Sequence, residues 1–104
     1  VAALSNVEQI INELKAGHLV LLPANGQKLS NPHYTAPGPL THMLVITGYI
    51  SRSDEFVTND SGTKRGRDYR YKTATVMAAA WNYPTGPKVE EQTTADKAII
   101  IVNR

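Results

Sequence analysis

Two residues of this chain have types and positions suited to acid–base chemistry. His42 heads the apolar run His42-Met43-Leu44-Val45-Ile46-Thr47-Gly48-Tyr49, and Asp60 closes the run Phe56-Val57-Thr58-Asn59-Asp60. A carboxylate bonded to an imidazole fixes its tautomer, and a thiol set against the other ring nitrogen gives up its proton and becomes the attacking thiolate. The pair is two parts of a three-part mechanism. The 104 residues contain no cysteine to complete it.

Whether the two side chains meet depends on strand register. Residues 42–50 and 55–60 are β-favouring segments around the polar break Ser51-Arg52-Ser53-Asp54, which predicts a hairpin. Alternation puts His42, Leu44, Ile46, Gly48 and Ile50 on one face of the first strand, and Phe56, Thr58 and Asp60 on one face of the second. Placing Phe56 opposite Gly48, Thr58 opposite Ile46 and Asp60 opposite Leu44 leaves His42 diagonal to Asp60, within side-chain reach. That register requires an odd loop or a bulge, because a plain four-residue loop at 51–54 sends Asp60 to the other face. Asn59 is the competing partner for the imidazole and faces away in this register. A purely structural His–Asp hydrogen bond is the alternative reading of the pair.

The elements that must position the pair follow from local signals. Ser5 and Glu8 form a capping box, and Val7, Ile10, Ile11 and Leu14 recur at helical spacing up to Gly17, predicting a helix over 5–16. His18–Leu22 reads as a buried strand stopped by Pro23-Ala24-Asn25-Gly26. Asn25-Gly26 is a common turn pair, with backbone groups offered to a peptide substrate as its secondary role. Residues 26–41 hold three prolines and two glycines, a long loop suited to walling a cleft. Tyr69–Tyr71 predicts a short strand, and residues 74–81 a short helix whose aromatic end, Trp81-Asn82-Tyr83, packs. Residues 84–95 are polar and loop-like, and Ala98–Val102 is a buried terminal strand. The expected fold is a single α+β domain over 1–104, with a mainly antiparallel twisted sheet of about five strands and two short helices.

Composition narrows the function classes. A formal charge of +2, with one basic cluster at Lys64, Arg65, Arg67 and Arg70, argues against nucleic acid as a partner. No stretch approaches the ~20 apolar residues of a membrane-spanning helix. A zinc site would need His18, His33 and His42 to converge, so neither metal nor cofactor is expected. His18 follows a helix end, where a cation meets the helix dipole favourably. Lys64, Arg65 and Arg67 suit either an acidic peptide or a solvated basic turn. Lack of cysteine is compatible with either redox compartment.

The strings His42–Tyr49 and Phe56-Val57-Thr58-Asn59-Asp60-Ser61-Gly62-Thr63 resemble the His and Asp motifs of peptidase family thirty-nine-like proteins of the papain-like clan, the bacteriocin-processing, double-glycine type. Leu21–Gly26 looks like the strand and cleft loop before the His, and Tyr69-Arg70-Tyr71 with the Trp81 helix looks like the closing segment, so the resemblance covers about residues 5 to 83. Ser61 stands where the family usually has Pro, and the sequon Asn59-Asp60-Ser61 that results reads as chance. The resemblance implies the β-half of a papain-like fold, with His42 as general base and then acid and Asp60 as orienter. It also implies a nucleophilic Cys and an oxyanion-stabilising Gln in an N-terminal helical half, to which nothing here corresponds. The chain, which begins at Val1, is then a piece of a longer bacterial peptidase acting on a peptide or protein, in the cell envelope or secreted. The alternative is a noncatalytic peptide-binding domain of the same fold.

Overall fold

The computed structural model describes residues 2–36, 38–80 and 97–103. Along the chain run β1 (Ala2–Ala3), α1 (Val7–Lys15), β2 (Leu19–Ala24), a 3-10 turn (Gly26–Leu29), β3 (His42–Ile50), β4 (Glu55–Asn59), β5 (Tyr69–Lys72), α2 (Thr73–Ala79) and β6 (Ala98–Val102). The strands form one open sheet in the order β1-β6-β2-β3-β4-β5, with every neighbouring pair antiparallel. The α+β expectation therefore holds, with six strands rather than about five. The extra strand is β1, whose two alanines carry little β signal and form a strand by pairing with Ala98 and Ile99.

Helix α1 starts one residue later than the capping box predicts. Asn6 is the cap, its Oδ1 accepting the Gln9 N–H at 3.1 Å, while Gln9 Oε1 accepts the Ser5 N–H at 3.0 Å. The amide of Gln9 thus takes the reciprocal role assigned to Glu8. The helix ends as Gly17 predicts: at φ +86° its N–H donates to Leu14 O, and the His18 N–H reaches back to Glu13 O, both at 3.0 Å. His18 Nδ1 also pairs with Glu13 Oε1 at 2.7 Å, so this imidazole is tied to the helix end by a side chain as well as by position.

Strand β2 runs through Pro23 to Ala24 instead of stopping at Leu22. Proline is tolerated there because β6 pairs only with Leu19–Leu21, leaving one edge of β2 without a ladder to break at residue 23. Helix α2 spans Thr73–Ala79 rather than 74–81, and the predicted packing of Trp81-Asn82-Tyr83 and the polar stretch 84–95 lie outside the described residues.

One sheet face is closed. Val20, Leu22, Ala24, Leu44, Ile46, Phe56 and Ile99 are all fully buried, and they form one core with Ile10 and Ile11 of α1 and Val76 and Ala79 of α2. Each large aliphatic or aromatic side chain buried in this way contributes about 1.5–3 kcal/mol. No helix among the described residues is long and apolar enough to cross a membrane.

The β3–β4 hairpin decides the site. Ile50 pairs with Glu55 across the four-residue turn, followed by Tyr49 with Phe56 and Gly48 with Val57. Phe56 is thus opposite Tyr49, not Gly48, and continuing this register would strand Asp60 on the face away from His42. A bulge at Thr47 intervenes: the next pairs are Ile46 with Thr58 and Val45 with Asn59. One extra residue on β3 restores the face, and Thr47 Oγ1 donates to Val57 O at 3.2 Å within the bulge.

Candidate active site

His42 opens β3 opposite Ala24, on the same face as buried Leu44 and Ile46. Asp60 follows β4 on the face of buried Phe56 and Thr58. Their side chains meet with His42 Nε2 and Asp60 Oδ1 2.7 Å apart, the imidazole side chain 8% exposed and the carboxylate side chain fully covered. Asn59 points elsewhere and accepts the Asp68 N–H at 3.2 Å.

Asp60 is held by more than the imidazole. Its Oδ1 also accepts the Gly62 N–H at 2.8 Å, while Oδ2 accepts the Tyr71 hydroxyl at 2.5 Å and the Tyr34 hydroxyl in a short hydrogen bond. Tyr71 is aimed in turn by Asn31, whose Nδ2 donates to its oxygen at 2.8 Å. The Tyr34 ring stands edge-on to the imidazole at 5.9 Å. Gly62 closes over both partners: a Cβ there would lie 2.8 Å from Tyr34 Cε1, 3.1 Å from Asp60 Oδ1 and 3.2 Å from His42 Cε1.

Reasoning from sequence missed Tyr34, Tyr71, Asn31 and Gly62. Tyr71 has a β-strand signal indistinguishable from an ordinary core tyrosine, and Tyr34 lies in a Pro-rich loop without periodicity. The one legible hint is Gly62 after Asp60, a small residue where a backbone N–H can approach a carboxylate.

Electrostatically the carboxylate is the charged centre. Burial disfavours its ionised form, but the hydrogen bonds from His42, Tyr34, Tyr71 and Gly62 together outweigh that and hold Asp60 well below its ordinary value of 3.8. Burial, then the hydrogen bond to Asp60, pushes Tyr34 far above 10.0; the same two causes lead for Tyr71. An ionised carboxylate only accepts, so Nε2 of His42 carries a proton, and in the neutral imidazole Nδ1 presents its lone pair. Among the described residues Nδ1 has no hydrogen-bond partner, and Ser53 Oγ is the buried side-chain polar atom left unpaired.

These shifts predict a stability profile with two limbs. The unfolded Asp60 takes up a proton below about pH 4 while the folded one does not, so its contribution is present above that pH and drains as pH falls. The unfolded tyrosines ionise above about pH 10 while the folded ones stay neutral, so their contribution is present below that pH and is lost as pH rises. Urea midpoints across pH should show both limbs, with Asp60→Asn flattening the acid one and Tyr71→Phe the alkaline one. Unchanged limbs in the variants would assign the profile to other groups.

Asn25 and Gly26 are not brought to the imidazole as side chains. Asn25 follows the Ala24 that pairs with His42, but its Oδ1 accepts the Gln27 N–H at 3.1 Å and its N–H donates to Ala79 O at 2.8 Å. Gly26 lies under the loop, where a Cβ would come 2.4 Å from Pro39 O, and it lines a pocket of about 240 Å³ with Asn31 and Tyr34. Among the described residues no group of three or more His, Asp or Glu stands close enough to hold a metal.

The family model that matches the chain is that of the Peptidase_C39 like family, over residues 1–89. No curated protein matches it.

Proposed function

The chain belongs to the Peptidase_C39 like family, a peptidase-related one, and from that premise we propose that it supplies the base and its orienter to a cysteine peptidase. The observation that carries this is the polarity of the imidazole: Nε2–H bound to Asp60, and Nδ1 without a hydrogen-bond partner among the described residues. The thiol comes from an N-terminal helical segment outside these 104 residues, together with a Gln that stabilises the oxyanion. The substrate is a peptide or protein, and a bacteriocin-type precursor cut behind its double-glycine leader is the narrower form of the proposal.

The chemistry runs through Nδ1. The thiol proton moves to Nδ1, and the thiolate attacks the scissile carbonyl carbon to give a tetrahedral oxyanion. As that species collapses, the C–N bond breaks, Nδ1–H protonates the leaving amine, and a thioester remains. Nδ1 then takes a proton from water, the hydroxide adds to the thioester, and the thiol leaves with its proton restored. Throughout, Asp60 stays ionised and stabilises the imidazolium. In this reading Gly26, which lines a pocket with Tyr34, offers a backbone group to the substrate, and Asn25 acts by holding the turn.

Two measurements test this. Proton–nitrogen correlation spectra of the neutral imidazole should show His42 protonated at Nε2 and bare at Nδ1; the opposite tautomer would remove the base. The full gene product should cleave peptide, with His42→Ala lowering kcat/KM by roughly 10³-fold or more. A full product that binds peptide without cutting it is instead a noncatalytic binding domain.

A further inference from the structure

The loop that returns from Asp60 carries three cations, Lys64, Arg65 and Arg67, that the chemistry above leaves unused. Lys64 and Arg65 are exposed, and among the described residues neither pairs with a carboxylate. With His33, Thr35, Gly62 and Thr63 they line an open cleft of about 580 Å³. Gly62 joins this cleft to the imidazole, since a Cβ there would lie 3.2 Å from His42 Cε1 and its N–H holds Asp60 Oδ1 at 2.8 Å. From Gly62 to Lys64 is at most about 7 Å of extended backbone. Gly62 thus borders both the cleft and the imidazole.

The backbone that carries Lys64 and Arg65 is fixed before anything binds. The Asp60 N–H donates to Gly66 O at 2.9 Å, the Gly66 N–H to Thr63 O at 3.3 Å and the Arg65 N–H to Thr63 Oγ1 at 3.2 Å, so the backbone of the tip is tied internally and a ligand has only side chains to order. Asp60, behind Gly62, forms its ion pair with His42 and none with Lys64 or Arg65. The whole chain carries only +2, so the positive cleft is a local feature.

Resting on the peptidase reading of His42 and Asp60, we infer that this cleft selects peptides with Asp or Glu within about two residues of the bond presented to Nδ1. Lys64 and Arg65 are the specificity-determining residues, and an extended substrate lays one acidic side chain between them.

The test uses fluorescein-labelled octapeptides in which a single Glu, or a single Gln, is walked along a Gly-Ala-Ser background, titrated into this chain by anisotropy. At low salt one register of Glu should bind roughly five- to tenfold more tightly than its Gln counterpart, with the difference shrinking as salt screens it. Lys64→Gln with Arg65→Gln should erase the preference and Lys64→Glu with Arg65→Glu should reverse it, while Gln peptides bind all three proteins alike. Equal binding of Glu and Gln, or a preference that survives charge reversal, overturns the inference. Cleavage by the full gene product without acidic preference would sink this inference alone. Acid-selective binding without cleavage would keep it and sink the peptidase reading.

Discussion

Asp60→Ala is expected to remove about 3–5 kcal/mol of folding stability, because several buried donors lose one shared acceptor at about 1–3 kcal/mol each. The substitution deprives the His42 Nε2–H, the Gly62 N–H and the Tyr34 and Tyr71 hydroxyls of their common acceptor. A buried donor left unmet costs about 1–3 kcal/mol. The two hydroxyl oxygens are 3.3 Å apart and can bond each other, which recovers part of the loss. Because a domain of this size holds about 5–15 kcal/mol in total, the Ala variant should be at the edge of folding. Asp60→Asn should cost less, about 1–2 kcal/mol. Its oxygen can still accept from His42 and Gly62, and its amide then donates to hydroxyl oxygens that have lone pairs to spare. Urea unfolding of the three proteins measures the order. An Ala variant within about 0.5 kcal/mol of the parent, as for an ordinary surface change, would show that Asp60 does not organise this cluster.

Gly66→Ala should be nearly as damaging, for a steric reason. A Cβ at Gly66 would lie 1.6 Å from Asp60 O and 2.6 Å from Asp60 C, both backbone atoms that cannot swing aside. Gly66 cannot retreat either, because its carbonyl accepts the N–H groups of Asp60 at 2.9 Å and Tyr69 at 3.3 Å. Relief requires opening the loop that carries Asp60, so the expected loss is about 3 kcal/mol, the upper end for overpacking. That corresponds to a melting temperature lower by roughly 12–24 °C. Gly17→Ala is the control: its φ of +86° strains alanine, but no heavy atom lies within 4 Å, so roughly 1 kcal/mol is expected. The imidazole spectrum should separate the two, with the His42 Nε2–H signal perturbed in Gly66→Ala and unchanged in Gly17→Ala. Equal melting temperatures for both variants would contradict the clash.

Most of the fold was legible because its signals are local. The apolar spacing Val7-Ile10-Ile11-Leu14 before Gly17 specifies an amphipathic helix and its end, and the runs 42–50, 55–59 and 98–102 carry enough branched side chains to be read as strands. The errors fell where a neighbour overrules local preference. Ala2–Ala3 becomes a strand only because β6 offers a partner, and Pro23 stays in β2 only because β6 stops short of it.

By itself the sequence determined that His42 heads one strand, that Asp60 comes at the far end of the next β-favouring segment and that no cysteine accompanies them. It also narrowed their encounter to two outcomes, since side chains alternate with period two and a four-residue turn needs one extra residue for the pair to share a face. Only the tertiary structure decided between them, by placing the bulge at Thr47, where strand pairing rather than any residue preference sets the register. It alone brought Tyr34 from the loop and Tyr71 from β5 onto Asp60, because contacts between residues 26 and 11 positions apart depend on how the sheet and loop fold back, not on sequence spacing.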